Sequence, residues 1–127
     1  MKLVKFWLPV FVWCGLIFWL SSIPNLETNL GFWDTILRKI AHIAEYFILT
    51  MLLYRAFKNS FSLKSFSLIF WPVILSLIYA ISDEIHQLFV PTREGSLQDV
   101  LINSGGICLF LILLKIGKYK PGLFFCF

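Results

Sequence analysis

Four apolar runs, at about residues 6–23, 40–57, 68–82 and 100–116, leave this chain few ways to fold. A helix crosses a bilayer with about 20 residues, down to about 17. The first, second and last runs meet that length as they stand. The second gains length if its helix starts near Asp34, a plausible N-cap, and the third if its helix continues through Asp83 and Glu84 until Pro91 stops it. The predicted spans become about 6–23, 35–57, 68–88 and 98–116. Of 127 residues, 59% are hydrophobic and 14% charged, against about 25% charged in soluble domains. A soluble core of this length could not hide so much apolar surface. The expected fold is an all-α integral membrane protein, a four-helix transmembrane bundle forming a single domain over residues 1–127.

Charge placement predicts the orientation. Lys2 and Lys5 precede the first span, Arg55, Lys58 and Lys64 separate the second from the third, and Lys115, Lys118 and Lys120 follow the fourth. No acid accompanies them. Glu27 and Asp34 offset Arg38 and Lys39 on the other side, where Asp83, Glu84, Glu94 and Asp99 face Arg93. The positive-inside rule then puts both termini in the cytoplasm. Trp7 and Trp71 fall near the inner interface and Trp19 and Trp33 near the outer one, as an aromatic belt requires. The basic residues flank apolar runs and form no face for nucleic acid. No cleavage site clearly follows the first span, which reads as an uncleaved anchor. Cys14, Cys108 and Cys126 show neither disulfide nor zinc spacing and read as buried thiols.

Under that topology the unusual polar residues gather on the outer side. Arg38, His42 and Glu45 share one helix face at i, i+4 and i+7. Asp83 and Gln87 are an i, i+4 pair with Glu84 and His86 beside them; Asp99 and Asn103 are another such pair. Arg93 lies in the intervening loop. Ionisable groups at membrane depth cost roughly 2.5–3.5 kcal/mol each on insertion scales, so a chain that keeps several has a use for them.

Plain structural readings stand beside this one. Ser96-Leu97-Gln98-Asp99 matches a capping box. Arg38 can pair with Asp34 at the surface, and Lys39 can snorkel. Interhelical hydrogen bonds alone could explain His42, Glu45, Asp83 and Glu84. Gly105-Gly106 permits close helix packing. Asp83-Glu84-Ile85-His86 spells a helicase DExH box, but the phosphate-binding loop that box needs is absent. His42 and Glu45 have a spacing compatible with a metal, but no usual zinc motif is complete, and neither metal ligands nor a cofactor are assigned.

Arg38-Lys39-x-x-His42-x-x-Glu45-Tyr46, Asp83-Glu84-x-x-Gln87-x-Phe89-x-Pro91-x-Arg93 and Asp99-x-x-x-Asn103-x-x-Gly106 together resemble the VanZ-like family of small bacterial membrane proteins. The resemblance covers about residues 34–106. Many relatives carry a further glycine where this chain has Phe110. The family's name-giving member accompanies glycopeptide-antibiotic resistance clusters and is associated with low-level teicoplanin resistance. The resemblance therefore implies a multi-pass protein of the bacterial cytoplasmic membrane working in the cell envelope, without implying a reaction.

Three functions compete. In a binding or accessory module, Arg38, His86, Gln87, Arg93, Asp99 and Asn103 hold a lipid-linked or anionic envelope ligand, with helix N-termini assisting. In an enzyme acting on an envelope lipid or polymer, Glu84 or Glu45 is the general base and His42 the acid or electrostatic stabiliser, with Asp83 the paired carboxylate. In an ion or proton carrier, the same groups form a relay, though four short helices leave little room for alternating access. A scaffold with no ligand is the remaining alternative. Beyond the lipid bilayer, no partner or oligomeric state can be read from the residues.

Overall fold

The structure, a computed structural model, describes residues 2–22, 32–89 and 97–116. Four helices make up nearly all of it: α1 (Lys2–Ser22), α2 (Phe32–Ser60), α3 (Ser65–Leu88) and α4 (Leu97–Lys115). Three of them, α1, α3 and α4, are long and apolar enough to cross a membrane, through Leu3–Leu20, Ser65–Leu88 and Gln98–Lys115. The bundle wears its apolar residues outside. Phe11, Phe66 and Leu101 are exposed at 68%, 77% and 71%. Such a surface would aggregate in water and is matched to acyl chains in a bilayer.

The second helix is not among those three, which narrows the expectation of four spans. It carries six charged residues, Asp34, Arg38, Lys39, Glu45, Arg55 and Lys58, over 29 residues. Its position explains how the fold carries them. α2 packs against α1, α3 and α4, whereas among the described residues the α1 and α4 backbones do not approach each other. From 49 to 56 every residue of α2 is buried. Of the charged residues only Arg55 falls in this stretch, its guanidinium 5.0 Å from the Phe6 ring centre, while Arg38, Lys39 and Lys58 are exposed toward the helix ends.

Side-chain contacts set direction and register. The Trp7 indole donates to the Ser60 hydroxyl (2.8 Å) and the Trp13 indole to the Glu45 carbonyl oxygen (2.9 Å), so α1 and α2 are antiparallel. The Thr50 and Ser76 hydroxyls share a 3.0 Å hydrogen bond between α2 and α3. α4 runs parallel to α2: Gly106 lies against Ile43 and Phe47, and Phe110 against Phe47 and Tyr54. At Gly106 the two backbones meet. A methyl group built there would overlap the Ile43 carbonyl oxygen and come within 2.8 Å of the Phe47 nitrogen. One turn later Phe110 is fully buried and fills the space between the helices. Cys108 departs from its expected burial. It is exposed on the outer side of α4, and Cys14 is half-buried.

Candidate functional site

Register decides which polar residues can meet. α3 is antiparallel to α2, and Asp83 lies as far beyond Ser76 as Ile43 lies before Thr50. At about 1.5 Å per residue, Asp83 and Glu84 therefore sit level with Ile43 and His42. Parallel α4 crosses Ile43 and Phe47 at Gly106, which puts Asn103, three residues earlier, at the depth of His42 as well. One slab of the bundle, between its middle and the end opposite Arg55, Lys58 and Lys115, holds contributions from three helices.

α3 turns its charged residues inward. Asp83, Glu84 and Gln87 are 4%, 5% and 3% exposed, while Ile85 and Leu88 face outward. This is the reverse of a soluble amphipathic helix, as expected where the outside is lipid. Gln87 donates from Nε2 to Asp83 Oδ2 at 3.2 Å, holding the carboxylate along its own helix. Across from them, His42 Nδ1 lies 3.4 Å from Glu45 Oε2, one turn apart on α2. Charges from Glu45, Asp83 and Asp99 act on His42, so α2, α3 and α4 all contribute to its field. Asp99 is half-buried. The Tyr46 phenol is fully buried and lies in the field of Asp83, Glu45 and Glu84.

Among the buried polar atoms of this slab without a hydrogen-bond partner among the described residues are the Tyr46 hydroxyl and both ends of the Asn103 carboxamide, whose residue is 0% exposed. Interior polar groups are normally paired. A buried orphan costs about 1–3 kcal/mol.

Two candidates lie to the side. Arg38 is exposed on the first turns of α2 and forms the rim. The His86 ring stacks on Phe18 of α1, 4.2 Å between centres and 25° between planes, at the flank of the site. Arg93 lies outside the described residues, as do Ser96 of the capping box and Pro91. Among the described residues, no three His, Cys, Asp or Glu side chains are placed to hold a metal ion.

Sequence reasoning assigned no role to Tyr46 or Trp13. Tyr46 stands at i+4 from His42, so the signal was present in the spacing. Trp13 had none. Its indole donates to a carbonyl of a separate helix, and nothing in the first apolar run marks it for that.

A family model described as VanZ/LLP1 matches residues 6–118. No curated protein and no solved structure matches the chain.

Proposed function

This chain belongs to the VanZ/LLP1 family, and from that premise we propose that it is a membrane protein of the cell envelope that seats the polar head of a lipid-linked ligand. The burial of Asp83, Glu84 and Gln87 on the face of α3 turned toward α2 carries this reading. Two adjacent acids held inside a membrane bundle are too costly for a surface-solubility role. The buried Asn103 amide and Tyr46 hydroxyl, without hydrogen-bond partners among the described residues, add to the polar character of that slab. Arg38 at the rim, and Arg93 in the connecting segment, would take an anionic part of the ligand.

The proposed orientation follows from charge. The end of the bundle with Lys5, Arg55, Lys58, Lys64 and Lys115 lies in the cytoplasm, and the polar slab lies toward the outer side of the bacterial cytoplasmic membrane. All four helices cross, with α2 crossing inside the ring of its neighbours. Lowered susceptibility to a glycopeptide such as teicoplanin is the proposed phenotype, because these antibiotics act on lipid-linked precursors at that face.

A second reading, acid/base catalysis on the same lipid, is favoured by one contact: the His42 ring beside Glu45, in the field of Asp83. One experiment tests the shared premise. Glu84→Gln keeps size and removes charge; Arg93→Lys keeps charge and removes the planar fork. Both variants are expected to insert and accumulate like the parent and to lose its effect on glycopeptide or lipoglycopeptide susceptibility. An unchanged effect at matched abundance would leave a structural polar network in place of a site.

A further inference from the structure

We infer that the chain seats an anionic phospholipid at the end of the bundle away from the polar slab, with an acyl chain in a groove between α1 and α2 and the phosphate at Lys58. This second lipid site does not depend on the headgroup reading above. The groove has a volume of about 570 Å³. Pro9, Val12 and Trp13 of α1 form its wall, and Ala44, Ile48 and Met51 of α2 its floor. Every lining residue is apolar but for the Trp13 indole N–H, which is bonded to the Glu45 carbonyl oxygen. The α1 wall lies well inside Leu3–Leu20, the apolar span of that helix, so the groove sits at hydrocarbon depth. Its floor covers residues 44–52, about 12 Å along the helix axis and so along the lipid chains. A second helix over that length takes roughly 1,000 Å³, and it needs small residues on both sides to approach. Val12, Trp13 and Ile48 are bulky, and only Ala44 is small. A hydrocarbon chain needs no more than the apolar surface and enters whole.

Charge lies on the same two helix faces. Lys5, Pro9 and Val12 stand at i, i+4 and i+7 on α1, and Ala44, Ile48, Met51 and Lys58 at i, i+4, i+7 and i+14 on α2. Helical spacing therefore leads each lining stripe to a lysine. The Trp7 and Trp13 bonds set the register: between them they centre residue 10 of α1 on residues 52–53 of α2, which puts Lys5 level with Lys58. Both lysines are exposed. They stand about 6 Å beyond Pro9 and about 9 Å beyond the last floor residue, within reach of a headgroup whose chain fills the groove. Arg55 strengthens the field there. Its guanidinium and the Lys5 ammonium lie 5.0 Å and 5.8 Å from the same Phe6 ring centre. Every acid on the described helices lies in the half away from this end. A phosphate at Lys58, in the field of Lys5 and Arg55, meets that charge. Free phosphate would leave the groove unfilled, and a zwitterionic lipid would fill the groove but gain little from the lysines.

Full-length protein in nanodiscs of phosphatidylglycerol and phosphatidylcholine with identical chains, released into a mass spectrometer, reads the preference. Retained phosphatidylglycerol is expected to exceed phosphatidylcholine by roughly fivefold, the worth of about one lysine at a membrane surface. Lys58→Gln should remove most of that excess. Lys64→Gln, at the same end but on α3 and off the groove, should leave it. A phosphatidylglycerol with a diazirine at mid-chain locates the tail. Photolabelling of the parent is expected to concentrate in residues 9–13 and 44–52, above the level at the exposed Phe66 and Leu101. Ala44→Trp, which fills the groove, should abolish that concentration; the map of the parent needs no variant and stands even if this one misfolds. Labelling no stronger in the groove than at Phe66 and Leu101 would mean ordinary surrounding lipid and would overturn the site. Equal loss in Lys58→Gln and Lys64→Gln would mean diffuse attraction, and the phosphate seat falls. A dimer mass without retained lipid would give the groove to a second copy and overturn the inference.

Discussion

Single residues carry opposite tolerances side by side in α4. Gly106 has no room for a Cβ against the Ile43 carbonyl, while a Cβ on Gly105 would meet only Ile43 Cγ1 at 3.9 Å. Gly106→Ala is expected to force the α2–α4 backbones apart at a cost of about 1–3 kcal/mol. Gly105→Ala should leave stability within about 0.5 kcal/mol. Thermal unfolding in detergent of the two variants, side by side, checks this; equal melting temperatures would contradict the close crossing. The sequence offered both glycines as one packing signal, and spacing could not tell which of them met the partner. The same limit holds at Asn103. Its i, i+4 relation to Asp99 was legible, but whether a buried amide finds a partner depends on side chains from other helices. Asp83 and Gln87 were the easier case, because both ends of their bond lie on one helix.

At the scale of elements, apolar run length marks the helices well. α1, α3 and α4 follow from it, and so does the all-helical architecture. What run length does not encode is which helix the others surround. The centrality of α2 comes from its contacts with all three neighbours, and it accounts for the unbroken burial of residues 49–56, Arg55 among them. Thr50 and Ser76 show how α2 is held. Each is fully buried, and their hydroxyls meet across the helix pair. Neither drew notice in the sequence, since serine and threonine are common in spans. Thr50→Val keeps the shape and removes the hydroxyl. It is expected to destabilise the bundle by about 0.6–1.7 kcal/mol, the range for interhelical hydrogen bonds in membranes. Ser76→Ala should do the same, and the double variant should cost less than the sum. A strictly additive pair, measured by reversible unfolding, would mean the hydroxyls do not interact.

At the scale of the whole molecule, charge is divided along the sequence: eight of the eleven basic residues, Lys2, Lys5, Arg55, Lys58, Lys64, Lys115, Lys118 and Lys120, flank the apolar runs in three stretches that carry no acid. The positive-inside rule turns this into a side. On a background lacking Cys14, Cys108 and Cys126, a cysteine at Ser62 should be protected from an impermeant thiol reagent in whole cells, and one at Ser96 should react. The reverse pattern would turn the molecule over and move the polar slab to the cytoplasmic side.

Because α2 rests on all three of its neighbours, the chain also has an order of assembly. When α2 leaves the ribosome only α1 is present to receive it, and the surfaces it will bury against α3 and α4 have not been made. Each of its charges then weighs on insertion at roughly 2.5–3.5 kcal/mol at helix centre. The late helices should therefore act as an intramolecular chaperone that draws α2 into the bilayer after synthesis. A chain ended at residue 60 and carrying its single cysteine at Ser60 should leave that thiol on the outer surface, open to the impermeant reagent. In the complete chain the same thiol should lie on the cytoplasmic side, beyond reach. Protection in both chains would mean that α2 integrates unaided.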